Sequence, residues 1–306
     1  MAASAAPPLA LRDLTRHYGP VLGVEGLSLA VERGEIVGLI GLNGAGKSTS
    51  LRLAVGLIKP TRGQALLFGE PTRAATRARA RLGYLPAELE LYPELGAREC
   101  LDLLGGLSAA DPSRLRARRE ALAERLGLGP ADLARRIGEM SHGMRQKLGL
   151  IQALQHEPEL VVLDEPSDGL DPMARAALAL ELEALRARGA AVLLASHVLS
   201  EVERVADRVA VLHRGRLLAL EAMSTLRAGE AVRVTLSFAG APPDLAGLDG
   251  VRLVEQSDRR LVLVAEPPLE GLLRELSRTR IVALEVAPPR LDDLIEELVR
   301  AVEPPA

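Results

Sequence analysis

Gly41-Leu42-Asn43-Gly44-Ala45-Gly46-Lys47-Ser48-Thr49 is the stretch on which the fold turns. It fits G-x-x-x-x-G-K-[ST], the phosphate-binding P-loop. The run before it, Ile36 to Ile40, is apolar and β-branched, as a buried strand is, and the run from Ser50 to Val55 can open a helix. A strand–loop–helix context of this kind separates a working P-loop from an accidental match. The glycines let backbone N–H groups curl around phosphate oxygens, and the helix N-terminus adds the positive end of its dipole. In this pattern Lys47 reaches the β- and γ-phosphates and Ser48 offers its hydroxyl to Mg²⁺. The chain is therefore expected to bind a nucleoside triphosphate.

The length of 306 residues fits one large domain or two ordinary ones, and an apolar content of 48% is ample for a core. A net charge of −3 makes no broad electrostatic case for nucleic acid or an acidic membrane. The single cysteine, Cys100, excludes an internal disulfide, and its leucine neighbours place it as a packed helical residue. A need for ATP points to a reducing cytoplasm. No apolar run approaches the ~20 residues that span a bilayer. A membrane role would therefore need a second polypeptide. Arginine dominates the basic residues, with alanine abundant, as in GC-rich bacterial genomes.

Strands are read at Leu9 to Asp13, Leu27 to Val31 and Gln64 to Gly69, with an arginine-rich helix over about 72–81. From Gly96 to His156 the pattern turns helical. Its Ser113 to Leu122 stretch is strongly charged and reads as a solvated helix face rather than a nucleic-acid patch. Leu160 to Leu163 and Ala190 to Ala195 read as buried strands, with a helix from Pro172 to Arg188 between them and Gly189 as its stop. Strands alternating with helices give an α/β fold with a largely parallel sheet.

The composition shifts near Glu221. Val232, Val234, Leu236 and Phe238 alternate with polar residues as a half-buried strand. Val251 to Gln256 and Leu261 to Val264 look like a hairpin, and Ile281 to Val286 like another strand. Leu269, Leu272, Leu273 and Leu276 mark one helix face; Leu291, Leu294, Ile295, Leu298 and Val299 mark a second. This is a small α+β accessory domain without a motif of its own. The domain reading is a flexible tail over 1–8, a nucleotide-binding domain over 9–222 with its helical part at about 96–156, and the accessory domain over 223–306.

Leu160-Val161-Val162-Leu163-Asp164 forms the second phosphate-site element, the Walker B strand. A carboxylate at the C-terminal end of such a strand sits where open α/β sheets bind ligands, so Asp164 can hold Mg²⁺. Glu165 follows, placed to polarise an attacking water. Beside these stand Met140-Ser141-His142-Gly143-Met144-Arg145-Gln146-Lys147, Ser167-Asp168-Gly169-Leu170-Asp171-Pro172 and Ser196-His197. In this order and spacing they resemble the nucleotide-binding subunit of ABC transporters. Ser141 to Gln146 looks like that family's signature motif, Leu-Ser-Gly-Gly-Gln, with a bulky second position. The stretch continues in a form similar to bacterial drug- and antibiotic-type exporters whose permease is a separate chain.

The resemblance covers roughly residues 9–220 and implies roles. Tyr18 would stack on adenine, Gly41 to Thr49 would cradle the phosphates, and Ser48 with Asp164 would hold Mg²⁺. Glu165 would be the general base and His197 the γ-phosphate sensor. Asp171 would communicate across a dimer, in which Ser141 and Gly143 face the ATP held by the partner. The family reading is thus a P-loop ABC ATPase that hydrolyses ATP as a homodimer, or paired with a second ABC subunit. It would drive export through a permease, and would sit in the cytoplasm on the inner face of the membrane, with no nucleic acid expected. One position departs: where the family usually has a glutamine touching Mg²⁺ and water, this chain has Ala87, and the contact is lost or moved to Glu88. Leu89, Leu91 and Tyr92 in that loop are candidate permease contacts. The rival reading is a soluble ABC ATPase of DNA repair or translation, whose long coiled-coil insertion or second cassette is not in the sequence.

Overall fold

The computed structural model describes residues 6–108, 110–227, 231–240, 242–243, 245, 248–288, 291, 293 and 295. The chain divides into two compact units, Met1–Leu220 and Glu221–Ala306.

The first unit opens with a long antiparallel pair, β1 (Leu9–Tyr18) and β2 (Val21–Val31), then β3 (Ile36–Ile40), α1 (Lys47–Ala54), β4 (Arg62–Leu67) and the short β5 (Glu70–Pro71). α2 (Thr76–Arg79) and β6 (Leu82–Leu85) lead into the helical part: α3 (Ala97–Gly105), α4 (Pro112–Arg125), α5 (Pro130–Leu133) and α6 (His142–Leu154). β7 (Leu160–Asp164), α7 (Pro172–Ala187), β8 (Ala191–Ala195), α8 (Leu199–Val205), β9 (Arg208–His213) and β10 (Arg216–Ala222) follow, the last ending two residues past the division at Leu220. Two sheets result. One is four-stranded in the order β2-β1-β4-β5; the other is six-stranded in the order β10-β9-β3-β8-β7-β6 and is parallel from β9 through β6.

Strand alternation decides what covers each face. Val37 and Leu39 of β3, Leu160 and Val162 of β7, and Leu193 of β8 join one buried cluster with Leu51 and Leu53 of α1 and the apolar residues of β1, β2 and β4. α1 is therefore held between the two sheets. Leu194 points the other way, where it lines a cavity with Leu178 and Leu182 of α7 and Val205 of α8. β3, β7 and β8 are buried at every position, as central parallel strands are. Glu159, just before β7, accepts from Arg81 before β6 and from Arg33 in the turn before β3. Those guanidiniums hold its carboxyl down at about 2.

Several expectations change. β1 runs on to Tyr18, so Tyr18 closes a strand instead of following one. The arginine-rich helix shrinks to Thr76–Arg79, because Thr72 is drawn back to β4 by a bond from its N–H to the Ala65 carbonyl. The charged face of α4 is not simply solvated. Arg118 and Arg125 pair with the buried Glu181 of α7, and the buried Arg119 pairs with Asp102 and Gln155. Of the tail, residues 1–5 lie outside the described residues, while Pro8 is buried and its carbonyl accepts from Phe68 N–H at 3.0 Å.

In the second unit α9 (Met223–Arg227) precedes β11 (Val232–Ala239), β12 (Val251–Ser257), β13 (Arg260–Ala265), α10 (Glu270–Leu276) and β14 (Arg280–Ala287). Its sheet runs β12-β13-β11-β14. Val234, Leu236 and Phe238 pack with Leu261, Leu263, Leu272 and Leu276. Of the second helix face read from the sequence, Leu294, Leu298 and Val299 lie outside the described residues; Leu291 is buried.

Candidate functional site

The P-loop bridges β3 and α1. Gly46 caps α1 with φ 104°, a backbone conformation other residues rarely adopt, and a Cβ there would come within 2.5 Å of the Gly23 carbonyl. No acidic residue sits in the first turn of α1, so its N-terminus is free to receive an anion. The loop, from Leu42 through Thr49, lines a cavity of about 390 Å³ together with Tyr18, Val21, Leu22, Gly23 and Glu165. Gly41 adds its carbonyl, which accepts from Lys47 Nζ at 2.8 Å.

The ends of β7 and β8 meet beside this cavity. Glu165 N–H donates to the Ala195 carbonyl at 2.9 Å, which carries the strand pairing one residue past Asp164. Glu165 has φ 49°, a strained setting for a side chain of its size. Its Oε2 accepts from the His197 backbone N–H at 3.1 Å and lies 2.7 Å from His197 Nδ1. Its Oε1 lies 3.6 Å from Lys47 Nζ. With Glu165 ionised, Nδ1 must carry the hydrogen of the neutral ring, which leaves Nε2 as the free nitrogen. Glu165, His197 and Lys47 are thus brought together.

Asp164 is 1% exposed, and both its carboxylate oxygens are buried without a hydrogen-bond partner. Burial raises its carboxyl above the usual carboxylate range; Ser48 is the largest opposing influence, and the neighbouring Glu165 charge adds to the rise. An orphaned buried carboxylate beside a serine hydroxyl fits a hard divalent cation. Among the described residues no cluster of three His, Cys, Asp or Glu is assembled. A cation here would be shared between few protein ligands and phosphate oxygens, as Mg²⁺ usually is.

The signature residues lie elsewhere. Ser141 caps α6, its hydroxyl accepting from Met144 N–H at 3.2 Å, and neither it nor Gly143 lines the P-loop cavity. They sit against the loop after β7. A Cβ on Gly143 would meet the Gly169 carbonyl at 2.5 Å. Gln146 Nε2 donates to the Glu165 and Pro166 carbonyls, each at 3.2 Å. Asp171 caps α7 by accepting from Ala174 N–H, and pairs with Lys147 at 2.7 Å. Lys147 and the helix amides hold its carboxyl below the usual range.

Two contacts escape sequence reasoning. His142 Nε2 lies 3.0 Å from Asp168 Oδ2, joining the unusual second position of the signature to the loop after β7. Arg16 stacks over Tyr18. The first had no spacing signal, because it depends on how the loop after β7 folds back on α6; the second pairs residues two apart on one strand, a spacing that tells only once β1 is seen to run on to Tyr18. Ala87 and Glu88 line a separate groove with Leu89, Leu91, His142 and Arg145, and neither lines the P-loop cavity. Leu89 is engaged by α6 at Gly149, while Tyr92 is exposed. Cys100 is buried on α3, and burial raises its thiol. Among the described residues no helix is long and apolar enough to cross a membrane.

The family model described as "ABC transporter" matches residues 24–168. Daunorubicin resistance ATP-binding protein DrrA3 of Streptomyces coeruleorubidus is 37% identical over 297 residues, covering 92% of this chain and 93% of that protein. Nod factor export ATP-binding protein I of Rhizobium sp. (strain N33) is 36% identical over 293 residues, covering 94% and 95%. A solved structure titled as the ATP binding subunit of an ABC transporter superposes with a TM-score of 0.68 at 34% identity, over 72% of this chain and 91% of that one. With a P-loop, a buried strand-end acid and a helix-capping signature serine in one fold, and relatives matched almost end to end, this chain belongs to the family of ABC transporter ATP-binding proteins.

Proposed function

We propose that the chain binds and hydrolyses ATP as one half of a pair, and that turnover drives export through a separate permease at the inner face of the membrane. The observation that carries the reading is the split between two anion sites. Lys47, Glu165 and the α1 N-terminus share one cavity, while Ser141 at the α6 N-terminus lies outside it. One chain does not close on its own triphosphate, so a second copy or a second ABC subunit would supply the missing helix end. The two full-length relatives, one named for drug resistance and one for export, support the export direction.

In the reaction the P-loop amides and Lys47 hold the phosphates in line and offset their charge. Ser48 and Asp164 would hold Mg²⁺, which would neutralise charge developing on the phosphate oxygens. Glu165 accepts hydrogen bonds from His197 and faces Lys47, so its carboxylate is held at the cavity's edge. A water placed there gives up a proton to it as attack on phosphorus proceeds. His197 orients Glu165 through Nδ1 and its backbone N–H, and Nε2 can donate to a γ-phosphate oxygen only when both ring nitrogens carry hydrogen. Tyr18 offers its ring to the base, and Asp171 reaches toward the second subunit from the cap of α7.

Glu165→Gln tests the core of this. It should still bind ATP but lose roughly 100-fold or more in turnover, the range for a general base. ATP-bound pairs should then accumulate on a sizing column. Near-normal turnover would remove Glu165 from its role. Co-purification with a permease of about six apolar spans, and ATPase stimulation by its substrate, test the transport arm; stimulation by DNA or ribosomes instead would favour the rival reading, a soluble ABC ATPase of DNA repair or translation.

A further inference from the structure

We infer that Arg16 is a positioning residue for the nucleotide base, acting through Tyr18; the inference rests on reading the P-loop cavity as an ATP site. The Arg16 guanidinium carbon lies over the Tyr18 ring, 4.7 Å from its centroid. Nη1 donates to the Lys59 carbonyl at 2.9 Å, in the segment between α1 and β4. Nε is buried and has no hydrogen-bond partner. A buried N–H without an acceptor is costly, and the electron-rich ring face is the compensation that the geometry offers it.

The ring is confined from a second direction. A Cβ on Gly23 would come within 2.9 Å of Tyr18 Cε2 and 3.1 Å of Thr49 Cγ2, so the ring edge rests on the β2 backbone beside the P-loop. Tyr18, Gly23 and Thr49 line the cavity, whereas Arg16 is not among its lining residues. Arg16 therefore backs one face of the ring and leaves the opposite face to receive a flat heteroaromatic base. The lock has two anchors far apart in sequence, Lys59 after α1 and Gly23 on β2. A tyrosine 41% exposed at a strand end would otherwise sample several rotamers.

The role is confined to the base. Removing Arg16 should weaken the base-dependent part of affinity and leave phosphate recognition alone. The comparison is wild type, Arg16→Ala, Arg16→Lys, Tyr18→Ala and the double variant, each measured for ATPase kinetics and for binding of ATP and of inorganic tripolyphosphate. Arg16→Ala should raise KM for ATP by about two- to fivefold, the scale of a partly exposed cation–π contact. Its kcat and tripolyphosphate affinity should hold, and Arg16→Lys should recover most of the loss. Tyr18→Ala should cost about tenfold in ATP affinity, the scale of one base stack, and adding Arg16→Ala to it should cost nothing more. Equal losses for ATP and tripolyphosphate in Arg16→Ala, or an additive double variant, would overturn the inference while leaving the Tyr18 stack standing. An unchanged ATP affinity in Tyr18→Ala would instead overturn the stack itself.

Discussion

Asp164 is held in a setting that works against its own charge. Its carboxylate is almost wholly buried and neither oxygen finds a donor, so the fold disfavours the charged form and the carboxyl is pushed upward. The sign follows: a raised folded-state pKa means that ionisation at neutral pH subtracts from stability. A neutral amide of the same shape removes that penalty. Asp164→Asn without nucleotide should therefore melt no lower than wild type, and by roughly 1 kcal/mol higher, the scale of a desolvated polar group. The same change should abolish the added stability that wild type gains from a non-hydrolysable ATP analogue in the presence of Mg²⁺. Thermal melts with and without Mg²⁺ and analogue measure both. A variant that melts lower yet keeps its Mg²⁺-dependent gain would show that Asp164 is structural. Stability traded for a charge at the reacting end of a strand is a familiar cost of active sites.

At the scale of elements, the N-terminal turn of α6 and the loop from Glu165 to Asp171 behave as one piece. His142 reaches Asp168, Gln146 reaches the Glu165 and Pro166 carbonyls, and Lys147 reaches Asp171. Gly143 lets them approach, since a Cβ there would stand 2.5 Å from the Gly169 carbonyl. Gly143→Ala should favour the helix intrinsically but force the loop away. The expected result is a net destabilisation of about 1–3 kcal/mol, as for other overpacked contacts. ATPase activity should fall by more than about tenfold, because roughly 1 Å of misplacement is enough to cost that much. Denaturant melts and steady-state turnover check the two parts; a variant with normal melting and normal turnover would mean that the loop yields freely.

This junction also marks the limit of what the sequence discloses. The P-loop and Asp164-Glu165 are local patterns whose residue types and spacing state their chemistry, and the signature is a local stretch legible through its resemblance to a family motif. The pairing of His142 with Asp168 joins residues 26 apart, and no periodicity encodes it. β1 was cut short for a different reason. Asp13 has φ 50° and the pairing with β2 shifts register three times between Leu11 and His17, which breaks the alternation that marks a strand. α4 misled because its arginines look solvated in sequence, while their partners, Asp102, Gln155 and Glu181, come from three other parts of the chain.

The whole molecule poses the question of where the second half of the site comes from. Within one chain the signature serine caps a helix held on the loop after β7, and the cavity that Lys47 serves is lined without it. If the site closes only between two chains, defects in its two halves should complement. Lys47→Ala damages the P-loop of its own chain and leaves its signature intact; Ser141→Arg blocks the signature and leaves the P-loop intact. Each variant alone should lack turnover, since both sites of its pair carry a damaged half. A mixed pair has one site with both defects and one with neither. Combining the two variants should therefore restore occlusion of one nucleotide per mixed pair, where the parents occlude none, and should restore part of the ATPase rate. Pairs isolated with two different affinity tags allow both quantities to be measured on the mixed species alone. A purified mixed pair that occludes no nucleotide would place the whole site within one chain, and the signature helix would then need another explanation for its serine.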